Sequence, residues 1–269
     1  KVNFNSNDQS YTDGKTVTIG AKMDDKLFDP SVGLALHEGS HIKLSDFDFL
    51  RNLENNIPQE YFDRSEKKGY NRPQTISNIK NLLNYVEDRR IDNFVFSTSP
   101  GYKGYYHSMY EKYFYSKIVD KALTSTEYTE ENMESYMFRI INLTNKNTNL
   151  DALNGLRQIW KDLDIKNIGV LGNTQLAFNV ALNIYSTILD NLKDGIEETD
   201  EDGNKSTKPN DESNGDGESK ELSDEEFERL KDAMSSGDVK QGHSNGSDIQ
   251  LTDNQKKQLE NAIRKQEKF

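Results

Sequence analysis

The residues in this chain best suited to chemistry are His37-Glu38-Gly39-Ser40-His41, an H-E-x-x-H spacing. On a helix, positions four apart lie one above the other on the same face, so both imidazoles can reach one ion at about 2.0–2.1 Å. Glu38, one position after the first imidazole, projects beside that ion and suits a general base for a water molecule. A bound metal lowers the pKa of such a water towards about 7 and polarises a carbonyl, which brings attack on a peptide bond within reach at neutral pH. With only 4 His in 269 residues, coincidence is a poor explanation of the spacing. The plain alternative is two surface histidines on an amphipathic helix. The chain has no cysteine, so the expected Zn2+ must be held by His and carboxylate.

Leu34, Ala35 and Leu36 precede the motif and Ile42 and Leu44 follow it, as on a helix that lies beneath a domain. At this point the sequence resembles the zincin metallopeptidases, and the resemblance implies a third protein ligand further along the chain. A metzincin would place a histidine six residues after His41; that position is Phe47, with Asp46 beside it, so this pattern is not met. The gluzincin pattern takes a glutamate from a second helix. Tyr85-Val86-Glu87-Asp88-Arg89-Arg90-Ile91-Asp92 supplies acidic candidates, with Glu87 the expected ligand and Asp88 its competitor. A glutamate on an otherwise buried helix needs a partner, and ligation supplies one. Asp92 then receives the second ring N–H of His37 or His41. The alternative is a solvated cluster of salt bridges on the outer face of that helix. Residues 35–41 taken with residues 84–92 resemble the metallopeptidase region of proteins that also carry a von Willebrand factor A domain, cobaltochelatase-like proteins among them. No D-x-S-x-S motif of such a domain occurs in the chain.

Peptide hydrolysis also gains from a donor to the oxyanion opposite the metal. The tyrosine-rich stretch from Gly101 offers Tyr105, Tyr106, His107 and Tyr110, of which His107 is preferred; aromatic packing between helices is the plain alternative. The fourth histidine, His243, lies in a Gly-Ser-Asn stretch and reads as solvated. In zincins a strand before the active helix binds substrate backbone along its edge, and residues 16–22 stand in the right order for that role. An extended peptide is the implied substrate.

Several elements must hold these groups in place. Asp13-Gly14 separates residues 2–11 from residues 15–22, and Val17, Ile19 and Ala21 alternate with Thr16, Thr18 and Gly20, which predicts a small hairpin. Asp29-Pro30 opens a predicted helix over residues 31–53. A polar interval with Pro58, Gly69 and Pro73 leads to a second helix over residues 74–96. Ile76, Ile79, Leu83, Val86 and Arg90 form its stripe, Leu82 widens it, and Pro100-Gly101 closes it. Further helices are predicted at residues 105–123, 130–143, 150–163 and 174–192. The expected class is α+β and mostly helical: a zincin-like metallopeptidase domain over residues 1–194, with a small N-terminal β-hairpin and a helix bundle.

Beyond that domain, apolar residues nearly vanish, and residues 195–221 read as an acidic flexible linker of the kind the resembled proteins often carry. Residues 222–269 hold two similar segments, each opening on a capping-box pair, Ser223 with Glu226 and Thr252 with Gln255. They are expected to form two short helices that connect to a partner protein.

Composition excludes other classes. The 46 Asp and Glu outnumber the 34 Lys and Arg, and no basic stripe offers itself to phosphates, so no nucleic acid is expected. No apolar run approaches the roughly 18 residues of a membrane span, and residues 1–10 lack the apolar stretch of a signal peptide, so a cytoplasmic location without membrane contact is expected. The leading expectation is a zinc-dependent metalloendopeptidase acting on a peptide or protein substrate. Its rivals are a zinc-stabilised interaction module that contacts a partner through the acidic tail, and a metal-dependent amidase acting on a non-peptide substrate.

Overall fold

A computed structural model describes residues 1–5, 11–20, 28–199, 205–210 and 250–267. The described residues up to Asn210 and from Gln250 onward belong to one compact, mostly helical unit.

Strands β1 (Val2–Asn5), β2 (Tyr11–Thr12) and β3 (Val17–Gly20) form a sheet in the order β1-β3-β2. β2 and β3 make the expected hairpin: the Asp13 carboxylate accepts from the Lys15 and Thr16 amides at 2.8 and 2.7 Å, and Gly14 takes a φ of 85°. β1 departs from the hairpin reading, because it runs parallel to β3 on the opposite side, with Val2 facing Val17. The expectation that residues 16–22 present a free edge to a peptide is therefore overturned at Val17 and Thr18, which pair on both sides, while Ile19 and Gly20 pair with β1 and residues 21 and 22 lie outside the described residues. The reason lies in burial: Val17, Thr18 and Ile19 are all buried, which suits an inner strand.

Helix α1 (Phe28–Leu44) carries the H-E-x-x-H residues. It ends well before residue 53, because Asp46 caps a new helix, α2 (Phe47–Arg51), by accepting from the Phe49 amide at 2.9 Å. The polar interval that follows is itself partly helical, with α3 (Leu53–Asn56) and α4 (Gln59–Lys67). Helix α5 (Arg72–Thr98) opens on a reciprocal cap: the Asn71 side chain accepts from the Gln74 amide and the Gln74 side chain from the Asn71 amide, both at 2.9 Å. The predicted helix over residues 105–123 is two helices, α6 (Lys103–Tyr113) and α7 (Lys117–Leu123). Helices α8 (Met133–Ile141), α9 (Leu156–Leu163) and α10 (Thr174–Asn191) match the later predictions with shorter ends.

The main core joins α4, α5, α8, α9 and α10, and the predicted stripe of α5 lies in it, with Ile79, Leu82, Leu83 and Val86 buried. A second core of Leu34, Val95, Tyr106, Met109, Tyr110 and Phe114 joins α1, α5 and α6. α1 and α6 approach closely at Gly33, where a Cβ would stand 2.6 Å from the Tyr105 carbonyl oxygen.

The expected domain boundary at residue 194 does not separate two bodies. Strands β4 (Ile196–Thr199) and β5 (Lys205–Lys208) pair antiparallel, and the Gly195 amide donates to the Lys67 carbonyl at 3.0 Å, so part of the predicted linker is ordered against the helical body. Residues 211–249, with the Ser223 helix start and His243, lie outside the described residues. The second tail segment forms α11 (Asp253–Glu267), with the Gln255 side chain accepting from the Thr252 amide as its capping box implies. Leu251 and Leu259 are buried with Val119, Ala122, Leu123 and Phe138, and buried Gln266 donates to the Tyr113 carbonyl and to Asn142. An apolar stripe of this kind lowers its free energy by docking, which is why this helix packs onto α7 and α8 and does not extend from the body.

No helix among the described residues is long and apolar enough to cross a membrane. Replacing Leu259 with Ala is expected to lower the unfolding free energy by about 2–4 kcal/mol. Denaturant titration checks this, since a tail hanging free of the body would leave the midpoint unchanged.

Candidate metal centre

Two helices build the site. α1 presents His37 and His41, and α5 presents Asp88 and Asp92, also four residues apart and therefore also on one face. His37 Nδ1 lies 3.0 Å from Asp92 Oδ1. A carboxylate oxygen accepts, so this ring nitrogen carries the hydrogen and Nε2 keeps the lone pair of the neutral imidazole. His41 Nδ1 lies 2.9 Å from Ser45 Oγ, and the Ser45 hydroxyl donates to Glu87 Oε2 at 3.3 Å. Ser45 oxygen is thereby left to accept from His41 Nδ1–H, and His41 Nε2 also keeps its lone pair.

Both lone pairs converge with Asp88. The two Nε2 atoms are 3.2 Å apart, and Asp88 Oδ1 stands 3.5 Å from that of His37 and 3.2 Å from that of His41. Donor atoms at about 2.0–2.1 Å from a tetrahedral metal are themselves spaced by about 3.3 Å, which is the spacing found. Asp88 Oδ1 is buried and, among the described residues, has no hydrogen-bonding partner. Three acceptors this close repel one another unless a cation lies among them, so His37, His41 and Asp88 fit a metal ion.

Charge gives an independent reason. Four buried carboxylates (Glu38, Glu87, Asp88 and Asp92) surround two buried guanidiniums (Arg89 and Arg90). Four carboxylates against two guanidiniums make the buried centre acidic before its histidines are counted, which favours a cation there. In a chain without metal, burial works to lower the His37 pKa, but the Asp92 and Asp88 carboxylates outweigh it and raise it to about 10. The Asp88 carboxyl is held well below its usual range, because its contacts with His37 and His41 overcome the opposing effect of burial. The same carboxylates that favour a proton on His37 favour a metal at its Nε2.

Glu38 is 6% exposed, and its burial raises its pKa against the lowering effect of the two histidines. Its environment therefore strengthens its hold on a proton.

Glu87 is not brought into the metal group. Its Oε2 takes the Ser45 hydroxyl and the Arg90 guanidinium, and Arg90 also donates to the Leu44 carbonyl at 2.8 Å, tying down the end of α1. The reason is helical register: a residue one position before Asp88 is turned about 100° round α5. The outer-face alternative also fails, since residues 87–90 and Asp92 are between 2% and 6% exposed.

The expected oxyanion donors are engaged in different ways. Tyr110 donates its hydroxyl to Asp92 Oδ2, so both oxygens of Asp92 are engaged. Tyr106 is fully buried edge-on against Phe96, and Tyr105 meets α1 through its backbone at Gly33. His107 is exposed and lines a cavity of about 210 Å³ on the far side of Asp92. With Tyr106 and Tyr110 four apart and turned inward, the residue after Tyr106 must turn outward.

Ser45 and Arg90 escaped the sequence reading as supports of the site. Ser45 falls four residues after His41 on the same helical face, a signal of the same kind that joins the two histidines. Arg90 carries no such local mark.

Comparison of the chain with protein-family models, with curated proteins and with solved structures gives no match.

Asp88→Asn is expected to abolish stoichiometric zinc binding, whereas Ser45→Ala and Glu87→Gln are each expected to weaken it by roughly 10–100-fold. Competition titration against a chromophoric chelator measures all three. An equal and complete loss in Glu87→Gln would restore Glu87 as a ligand.

Proposed function

We propose that this chain is a zinc-dependent metalloendopeptidase of the gluzincin-like kind, with Asp88 where the expected pattern has a glutamate ligand. The observation that carries this reading is the convergence of His37 Nε2, His41 Nε2 and Asp88 Oδ1 at separations of 3.2–3.5 Å, with Glu38 on the adjacent position of the same helix. Two imidazoles and one carboxylate are the donor set of a catalytic zinc site with a position left open. Bound there, zinc supplies a Lewis acid that polarises a carbonyl and acidifies water.

The chain's own residues supply the rest. Asp92 and Ser45 hold the two rings with their lone pairs inward, so neither ring is free to turn its N–H towards the substrate. Glu38 takes the proton of the attacking water at its carboxylate and returns it to the departing amine. Its raised pKa suits both steps, because a stronger base accepts the proton more readily and still releases it to an amine. The net acidity of the chain accords with a peptide or protein as the partner and against a polyanion.

A second reading has one observation in its favour. His37 is fully buried and His41 and Asp88 are 9% and 5% exposed, as in a metal site that serves to stabilise a fold used for binding a partner. Glu38→Gln separates the two. For a peptidase, hydrolysis of an unstructured protein substrate falls by about 10²–10⁴-fold while zinc content and Tm are retained. For a stabilising site, the wild-type chain shows no chelator-sensitive hydrolysis at all, and chelation lowers Tm alone.

A further inference from the structure

The cavity behind Asp92 is lined by Arg89, Asn93, Phe96, Tyr115, Ile165 and Ile168 together with Asp92, Tyr110, Thr144 and His107, and includes none of the metal donors. Its chemistry is that of an apolar chamber with one cation. Arg89 is 6% exposed, and its guanidinium sits over the rings of Tyr110 at 5.0 Å, Tyr85 at 5.2 Å and Phe114 at 5.9 Å. Contacts with ring faces satisfy no N–H donor with an oxygen acceptor, so the donors of the guanidinium still need partners.

Among the described residues the guanidinium of Arg89 makes no hydrogen bond: Nε is buried without a partner, and the nearest carboxylate oxygen, Asp92 Oδ2, is 3.6 Å away. Asp92 cannot turn to it, because Oδ1 is held by His37 and Oδ2 by the Tyr110 hydroxyl. A buried guanidinium with unused donors beside a cavity is a carboxylate receptor in waiting, since the planar fork matches the two oxygens of a carboxylate. Asp92 on the wall disfavours a second negative charge, and Phe96, Ile165 and Ile168 disfavour a polar body.

We infer that this cavity binds a small monocarboxylic acid with an apolar body, its carboxylate held by Arg89 and its body lying against Phe96, Ile165 and Ile168. The site is separate from the metal group and stands whether or not the chain is a peptidase.

The test uses the full chain loaded with zinc, titrated calorimetrically with 3-phenylpropionate and, separately, with 3-phenylpropionamide, which keeps the body and loses the charge. The acid is expected to saturate one site and to bind at least about tenfold more tightly than the amide. Arg89→Lys is expected to lose that preference. Ile165→Trp, which fills the cavity and leaves Arg89 in place, is expected to abolish binding while zinc content and Tm stay at their wild-type values. Binding is also expected to persist in Asp88→Asn, which lacks the metal. Equal affinity for acid and amide, full binding in Ile165→Trp, loss of binding in Asp88→Asn, or no saturation by about 10 mM acid would each overturn the assignment.

Discussion

Two hydrogen bonds set the orientation of the imidazoles, and the rest of the site follows from them. Asp92 holds Nδ1 of His37 and Ser45 holds Nδ1 of His41, so each ring is left with its other nitrogen as an acceptor pointing at Asp88. Were either ring reversed, an N–H would stand where a lone pair is needed and the group could not take a cation. The site is thus a property of which nitrogen is hydrogen-bonded to the surroundings more than of which residues are near one another.

Holding that arrangement requires α5 to bury five charged side chains within residues 87–92, which is costly unless each is answered. The answers come from other elements. Arg90 pairs with Glu87 and takes the last carbonyl of α1, and Tyr110 on α6 takes the outer oxygen of Asp92. α6 can deliver that hydroxyl because Gly33 lets its backbone come against α1. The Asp46 amide donates to Thr174 Oγ1 at 2.9 Å, which anchors the chain leaving α1 to the start of α10. Removing one member of this set leaves another buried charge unanswered, and this explains why the polar centre and the helical packing around it form a single construction.

Arg89 is held differently from the other members of this set. Its rings are supplied by Tyr85, Tyr110 and Phe114, but among the described residues its donors make no hydrogen bond, and it borders a cavity. Glu87 Oε1 and Arg90 Nε also lack a hydrogen-bond partner among the described residues, but Arg89 is the guanidinium that lines the cavity.

The sequence by itself determined that His37 and His41 share a face, because a spacing of four on a helix fixes a shared face without reference to anything else. It also determined the apolar stripe of α5, the capping of α11, and the hairpin turn at Asp13-Gly14, all of which are local in the same sense. Even the third donor was within reach: placing Asp92 against a histidine puts Asp88, four residues earlier, on that face, and Glu87 off it. Tertiary structure alone decided the remainder. That β1 pairs with the far side of β3, that α11 docks on α7 and α8, that Arg90 ends α1 and that Tyr110 serves Asp92 are contacts between residues far apart in the chain. Periodicity shows which side of an element seeks burial, but it carries no information about which other element will cover it.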